Sequence, residues 1–73
     1  MIAEIYGKEQ CPFCDMAKWL CTQKEIQFKY KQLGKDFTRE EMIEKFPTAR
    51  TFPQIILNGE KIGGYEQLKQ QVG

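Results

Sequence analysis

Two cysteines, Cys11 and Cys14, stand two residues apart where a short apolar run, Ile2 to Tyr6, gives way to a helix-like segment. That junction constrains the chain more than any other stretch. Proline suits the first position of a helix, because its missing N–H would be unpaired there in any case. A helix that starts at Pro12 puts Cys11 at its N-terminal end. Free backbone N–H groups and the positive end of the helix dipole favour a thiolate at such a place. Thiolates so placed have pKa values lowered from ~8.5 into the range of roughly 3.5 to 7.5. Cys14, one turn in and less exposed, is then the resolving thiol that closes a disulfide.

Two other uses of the pair stand beside this one. A structural zinc site needs about four ligands. With three cysteines and no histidine in the chain, Asp15 or Glu9 would have to complete it. A purely structural disulfide normally comes with several more cysteines in a small secreted domain. Redox chemistry is the better expectation, with no metal.

Seventy-three residues make one domain, spanning 1–73. Eleven lysines and arginines against ten acids leave a net charge of +1, which argues against nucleic acid or anionic membrane as the main partner. No apolar run is long enough to span a bilayer. An N-terminal basic region followed by an apolar signal core is also missing. The expected home is the cytoplasm, where a Cys-x-x-Cys pair points to catalysis or metal binding.

Read in order, Met1 to Tyr6 is a buried strand with Ile2 and Ile5 as its main apolar content, ended by Gly7. From Pro12, the spacing of Phe13, Met16, Ala17, Leu20 and Cys21 predicts an amphipathic helix with those residues facing inward, and Trp19 off the stripe. Cys21 is expected to be a small buried apolar residue rather than a third redox thiol. Ile26 to Lys31 alternates apolar and polar residues, a strand with Lys29 and Lys31 on its solvated face. These three elements make a right-handed βαβ unit with parallel strands. Thr38 and Glu41 form a capping box that opens a second helix, with Met42, Ile43 and Phe46 inward and Pro47 limiting it. Ile55-Ile56-Leu57 is a third strand, Asn58-Gly59 a tight turn, and Lys61-Ile62 the antiparallel return. Tyr65 to Val72 closes the chain as a helix with Leu68 and Val72 inward. The fold class is α/β: a four-stranded mixed sheet flanked by three helices in the order β-α-β-α-β-β-α.

Four stretches in order carry a resemblance. They are Lys8 ahead of Cys11-Pro12-Phe13-Cys14, then Arg50-Thr51-Phe52-Pro53-Gln54, then Asn58-Gly59, then Ile62-Gly63-Gly64-Tyr65-Glu66. Over essentially its full length the chain resembles the glutaredoxins, small members of the thioredoxin-like fold, and most of all the short dithiol type of phages and bacteria. The resemblance implies a cis Pro53 that turns the backbone towards the cysteines, although a proline that simply starts a strand is the plainer alternative. It also implies that the exposed N–H and C=O of Phe52, flanked by Thr51, pair with an extended peptide. Gly63-Gly64 allows a ligand close to the backbone, and the N–H groups at Tyr65 and Glu66 offer a carboxylate a seat.

By the same resemblance the ligand is glutathione, acting as reducing co-substrate. Its cysteine pairs with the backbone at Phe52, and its γ-glutamyl carboxylate meets Tyr65 and Glu66. Its glycyl carboxylate meets Lys8, with Arg39 or Arg50. Phe13, Thr51, Pro53 and Gly64 complete the implied site. Three positions depart from the family pattern: Phe13 stands for the usual tyrosine, Phe52 for the usual valine, and Glu66 for the usual aspartate or serine. The implied activity is reduction of protein disulfides and glutathione mixed disulfides. The implied protein partners are disulfide-containing or glutathionylated, ribonucleotide reductase among them, and the implied state is a monomer.

Two rivals remain on the sequence. A related redoxin is reduced by thioredoxin reductase, but carries a Trp-Ser-Gly-Phe run in place of Gly63-Gly64-Tyr65. Iron–sulfur cluster carriers of the family usually have glycine where this chain has Pro12.

Overall fold

Strand β1 (Ile2–Gly7) lies inside the sheet and pairs with a strand on each side. A computed structural model of the chain describes residues 1–73. After β1 come α1 (Pro12–Gln23), β2 (Gln27–Gln32), α2 (Arg39–Lys45), β3 (Gln54–Leu57), β4 (Glu60–Gly63) and α3 (Tyr65–Val72). The strand order is β2-β1-β3-β4. β1 and β2 run parallel, from Ile2 opposite Gln27 to Gly7 opposite Gln32. β3 lies antiparallel to β1, with Ile5 opposite Ile55, and β4 returns antiparallel to β3. Asn58 and Gly59 make that return with φ of 52° and 82°, the left-handed region that this residue pair tolerates best. The mixed four-stranded sheet, the three helices and their order are as the sequence predicts.

Side chains alternate across a strand, and here the alternation sorts residues into two apolar layers. On one face Ala3, Ile5, Ile55 and Leu57 pack with Ala17, Leu20 and Cys21 of α1 and with Tyr65 and Leu68 of α3. On the other face Tyr6 and Ile56 pack with Phe37 and with Met42 and Phe46 of α2. The second layer is aromatic: Tyr6 meets Phe37 and Phe46 edge-on at centroid distances of 5.3 and 5.2 Å. α2 is opened by the predicted capping box, in which Thr38 Oγ1 accepts from the Glu41 N–H and Glu41 Oε1 accepts from the Thr38 N–H. No helix is long and apolar enough to cross a membrane.

Four expectations need correction. Ile2 is half exposed, because it opens β1 and lies outside both apolar layers. In α1 the inward line is Cys14, Ala17, Leu20 and Cys21, while Phe13 and Met16 face out. The two stripes are neighbours at helical spacing, and small side chains let α1 lie close on the sheet. Ile43 is likewise exposed, since Met42 and Phe46, four residues apart, already form the buried line of α2. Lys31 is not a freely solvated lysine. It donates to the Tyr6 hydroxyl at 3.3 Å and to Glu4 Oε1 at 3.4 Å, and the bond with Tyr6 raises its pKa.

Candidate functional site

Cys11 is the N-cap of α1, with extended backbone (φ −124°, ψ 99°), and Pro12 occupies the first helical position. The Cys14 N–H donates to Cys11 Sγ at 3.3 Å, and the Asp15 N–H donates to the Cys11 carbonyl at 3.1 Å. The sulfur therefore takes the place that a serine or aspartate oxygen holds in an ordinary helix cap. Cys11 and Cys14 are joined as a disulfide, with Cα atoms 5.2 Å apart, inside the usual span for such bonds. Cys14 is fully buried, whereas Cys11 keeps 7% of its surface exposed. A reagent therefore reaches Cys11 first. Cys21 is a buried free thiol, and burial pushes its pKa up.

Thr51, Phe52 and Pro53 lead into β3, and the Phe52–Pro53 peptide bond is cis. They separate two clefts. The first, about 250 Å³, is lined by Phe13, Thr51, Phe52, Pro53, Gly64, Tyr65, Glu66 and Gln67. Phe13 and Tyr65 form one wall, with ring centroids 6.0 Å apart. Gly64 caps α3 and passes so near Pro53 that an added Cβ would lie 3.2 Å from the Pro53 carbonyl oxygen. The first-turn N–H groups of α3 have no carbonyl partner within the helix, which suits them to an anion.

The second cleft, about 460 Å³, brings together three cations, Lys8, Arg39 and Arg50, over apolar side chains that include Ile43 and Phe52. Thr51 and Phe52 line both clefts and so mark where they meet. Lys8 Nζ lies 5.4 Å from the centroid of the Phe52 ring. Of the residues singled out in the sequence, Phe13, Thr51, Phe52, Pro53, Gly64, Tyr65 and Glu66 converge on the first cleft. Lys8, Arg39 and Arg50 converge on the second. Asp15 and Glu9 do not join the cysteines in a ligand set: no three His, Cys, Asp or Glu side chains are grouped so as to hold a metal ion.

Sequence reading missed two residues here. Gln67 lines the first cleft, and its Oε1 accepts the Gly64 N–H at 2.9 Å. Its position three residues after a helix cap was the available signal. Ile43 lines the cationic cleft, and only its surplus to the buried line of α2 hinted at that.

Comparison with known proteins matches residues 3–62 to the glutaredoxin family model. Over 66 residues the chain is 44% identical to a probable glutaredoxin of Synechocystis, covering 89% of this chain and 61% of that protein. It is 41% identical over 66 residues to glutaredoxin 3 of Escherichia coli, covering 89% of this chain and 78% of that one. The crystal structure of glutaredoxin 1 from Francisella tularensis superposes with a TM-score of 0.81 at 26% identity, covering 96% of this chain and 90% of that one. The fold is therefore thioredoxin-like. A buckwheat glutaredoxin in complex with glutathione shares the fold at a TM-score of 0.79 and 19% identity, covering 94% of this chain and 66% of that one.

Proposed function

The chain belongs to the glutaredoxin family of thiol–disulfide oxidoreductases, and from that premise we propose that it reduces glutathione mixed disulfides and protein disulfides with glutathione as electron donor. The observation that carries this is the meeting of two anion-suited clefts at Phe52, next to the first turn that holds the Cys11–Cys14 disulfide. Glutathione has two carboxylates with a thiol between them. The Lys8, Arg39 and Arg50 cleft suits the glycyl carboxylate, and the first-turn N–H groups of α3 suit the γ-glutamyl one. The thiol then falls near Phe52, whose backbone pairs with the tripeptide.

Cys11 as thiolate attacks the glutathione sulfur of a protein–glutathione disulfide. A Cys11–glutathione disulfide forms, and the protein sulfur leaves as a thiolate that takes up a proton. A second glutathione thiolate attacks the glutathione sulfur on Cys11, giving glutathione disulfide and returning Cys11 as thiolate. With a protein disulfide, Cys11 bonds to one substrate sulfur and releases the other. Cys14 then attacks Cys11 and frees the second substrate thiol. The two electrons lost by the dithiol pass to the two substrate thiols and leave the Cys11–Cys14 disulfide, which two glutathione molecules reduce as they become glutathione disulfide.

The test is reduction of a glutathionylated peptide, coupled either to glutathione and glutathione reductase or to thioredoxin reductase. Turnover with the glutathione system at a rate well above that with thioredoxin reductase is expected. The reverse ranking would assign the chain to the redoxins fed by thioredoxin reductase.

A further inference from the structure

The loop from Lys8 to Gln10 connects β1 to Cys11, and side chains of β2 fasten it. The Tyr30 hydroxyl donates to the Lys8 carbonyl at 3.2 Å, and Gln32 Nε2 donates to Glu9 Oε1 at 3.1 Å. Just before the loop, the Leu33 N–H donates to the Gly7 carbonyl at 2.8 Å. At its end Gln10 turns through φ 53° into the cap of α1. Tyr30 reaches Lys8 by crossing over Gly7, where a Cβ would lie 2.8 Å from two carbons of its ring. Lys18 covers the outer side of that ring, its Nζ 4.2 Å from the centroid, and is paired with Asp15 at 3.5 Å. The phenol is thus clamped between the missing side chain of Gly7 and the ammonium of Lys18.

Resting on the reading that Lys8 receives a glutathione carboxylate, we propose that Tyr30 is a positioning residue for that seat: its hydroxyl anchors the Lys8 backbone and so sets where the Lys8 ammonium stands. Lys8 itself lies in neither a helix nor a strand, since β1 ends at Gly7 and α1 begins at Pro12. A long, flexible side chain on an unfastened loop loses rotational freedom each time it grips a ligand. A fixed backbone under it removes part of that loss before binding. Burial and the nearby Asp15 carboxylate both raise the pKa of Tyr30, so the phenol keeps its proton and donates throughout the neutral range.

Tyr30→Phe tests this, because it deletes the hydroxyl and leaves the ring over Gly7 and under Lys18. The reaction is reduction of a glutathionylated peptide by the full chain, read as KM and kcat separately. The wild type is compared with Tyr30→Phe, Lys8→Ala and the double variant. Lys8→Ala is expected to raise KM about tenfold, the scale of one charge-assisted hydrogen bond. Tyr30→Phe is expected to raise KM about threefold, the scale of one neutral hydrogen bond. In the double variant KM should stay at the Lys8→Ala value, since the hydroxyl acts only through Lys8. With a small uncharged disulfide, which brings no carboxylate, the Tyr30→Phe effect should shrink.

Wild-type KM in Tyr30→Phe alongside a raised KM in Lys8→Ala would overturn the positioning role and leave the seat standing. Multiplying factors in the double variant, or an equal effect on the uncharged disulfide, would show the hydroxyl acting elsewhere and also overturn it. An unchanged KM in Lys8→Ala would remove the seat itself, and this role with it.

Discussion

The backbone N–H of Cys14 donates to the Sγ of Cys11 at 3.3 Å across the first turn of α1. A donor aimed at a sulfur that already sits at the positive end of a helix favours the thiolate form. The two cysteines are therefore unequal partners. One keeps an exposed edge at the N-terminus of the helix, and the other is fully buried one turn further in.

That inequality predicts different losses. Cys14→Ser should retain reduction of glutathione mixed disulfides and lose most reduction of protein disulfides. Cys11→Ser should lose both. Steady-state rates on the two substrate types check this, and equal losses from the two substitutions would contradict the assignment of Cys11 as nucleophile.

Cys21 lies in the apolar layer beneath α1, with no exposure and in the last turn of the helix, far from its N-terminus. Cys21→Ala should leave turnover nearly intact and cost about 1 kcal/mol of stability, the value of one buried methylene-sized group. It should also change the response to alkali. Burial holds the folded Cys21 thiol above its ordinary value of 9.0, so the unfolded chain loses that proton first as pH rises. Cys21 therefore contributes a fall in stability above pH 9.0 and none below it. Denaturant titrations at rising pH should show a shallower alkaline fall in Cys21→Ala, and an equally steep fall would contradict the burial account.

Gly7 is required by close approach rather than by a left-handed backbone, since the space its Cβ would fill belongs to the Tyr30 ring. Gly7→Ala should destabilise by about 1–3 kcal/mol, the usual cost of overpacking. Adding Tyr30→Ala, which empties that space, should cost less in the Gly7→Ala background than in wild type. Additive losses in equilibrium denaturation would mean that the two residues do not compete for the same volume.

Much of this was legible from local pattern, and the remainder depends on distance in sequence. The capping box of Thr38 and Glu41, the Asn58-Gly59 turn and α3 from Tyr65 to Val72 each rest on residues close together in sequence. Their physics is local, and the structure has them as read. Phe13, Met16 and Ile43 misled because size suggests burial, whereas the short helices here bury small or already sufficient stripes. Phe13 and Ile43 instead line the clefts. The residues implied by family resemblance do gather in two adjoining clefts, which no periodicity could have shown. The clamp of Tyr30 on Lys8 joins residues twenty-two positions apart through a glycine, and nothing in the chain marks it before folding.

The formation of a mixed disulfide between Cys11 and glutathione can be read directly. The Cys14→Ser variant, with no resolving thiol, is incubated with glutathione disulfide, and the intact mass and peptide map are then measured. One glutathione per chain is predicted, attached at Cys11, with Cys21 unmodified and with no addition in Cys11→Ser. A chain that takes up no glutathione, or takes it up at Cys21, would contradict the account.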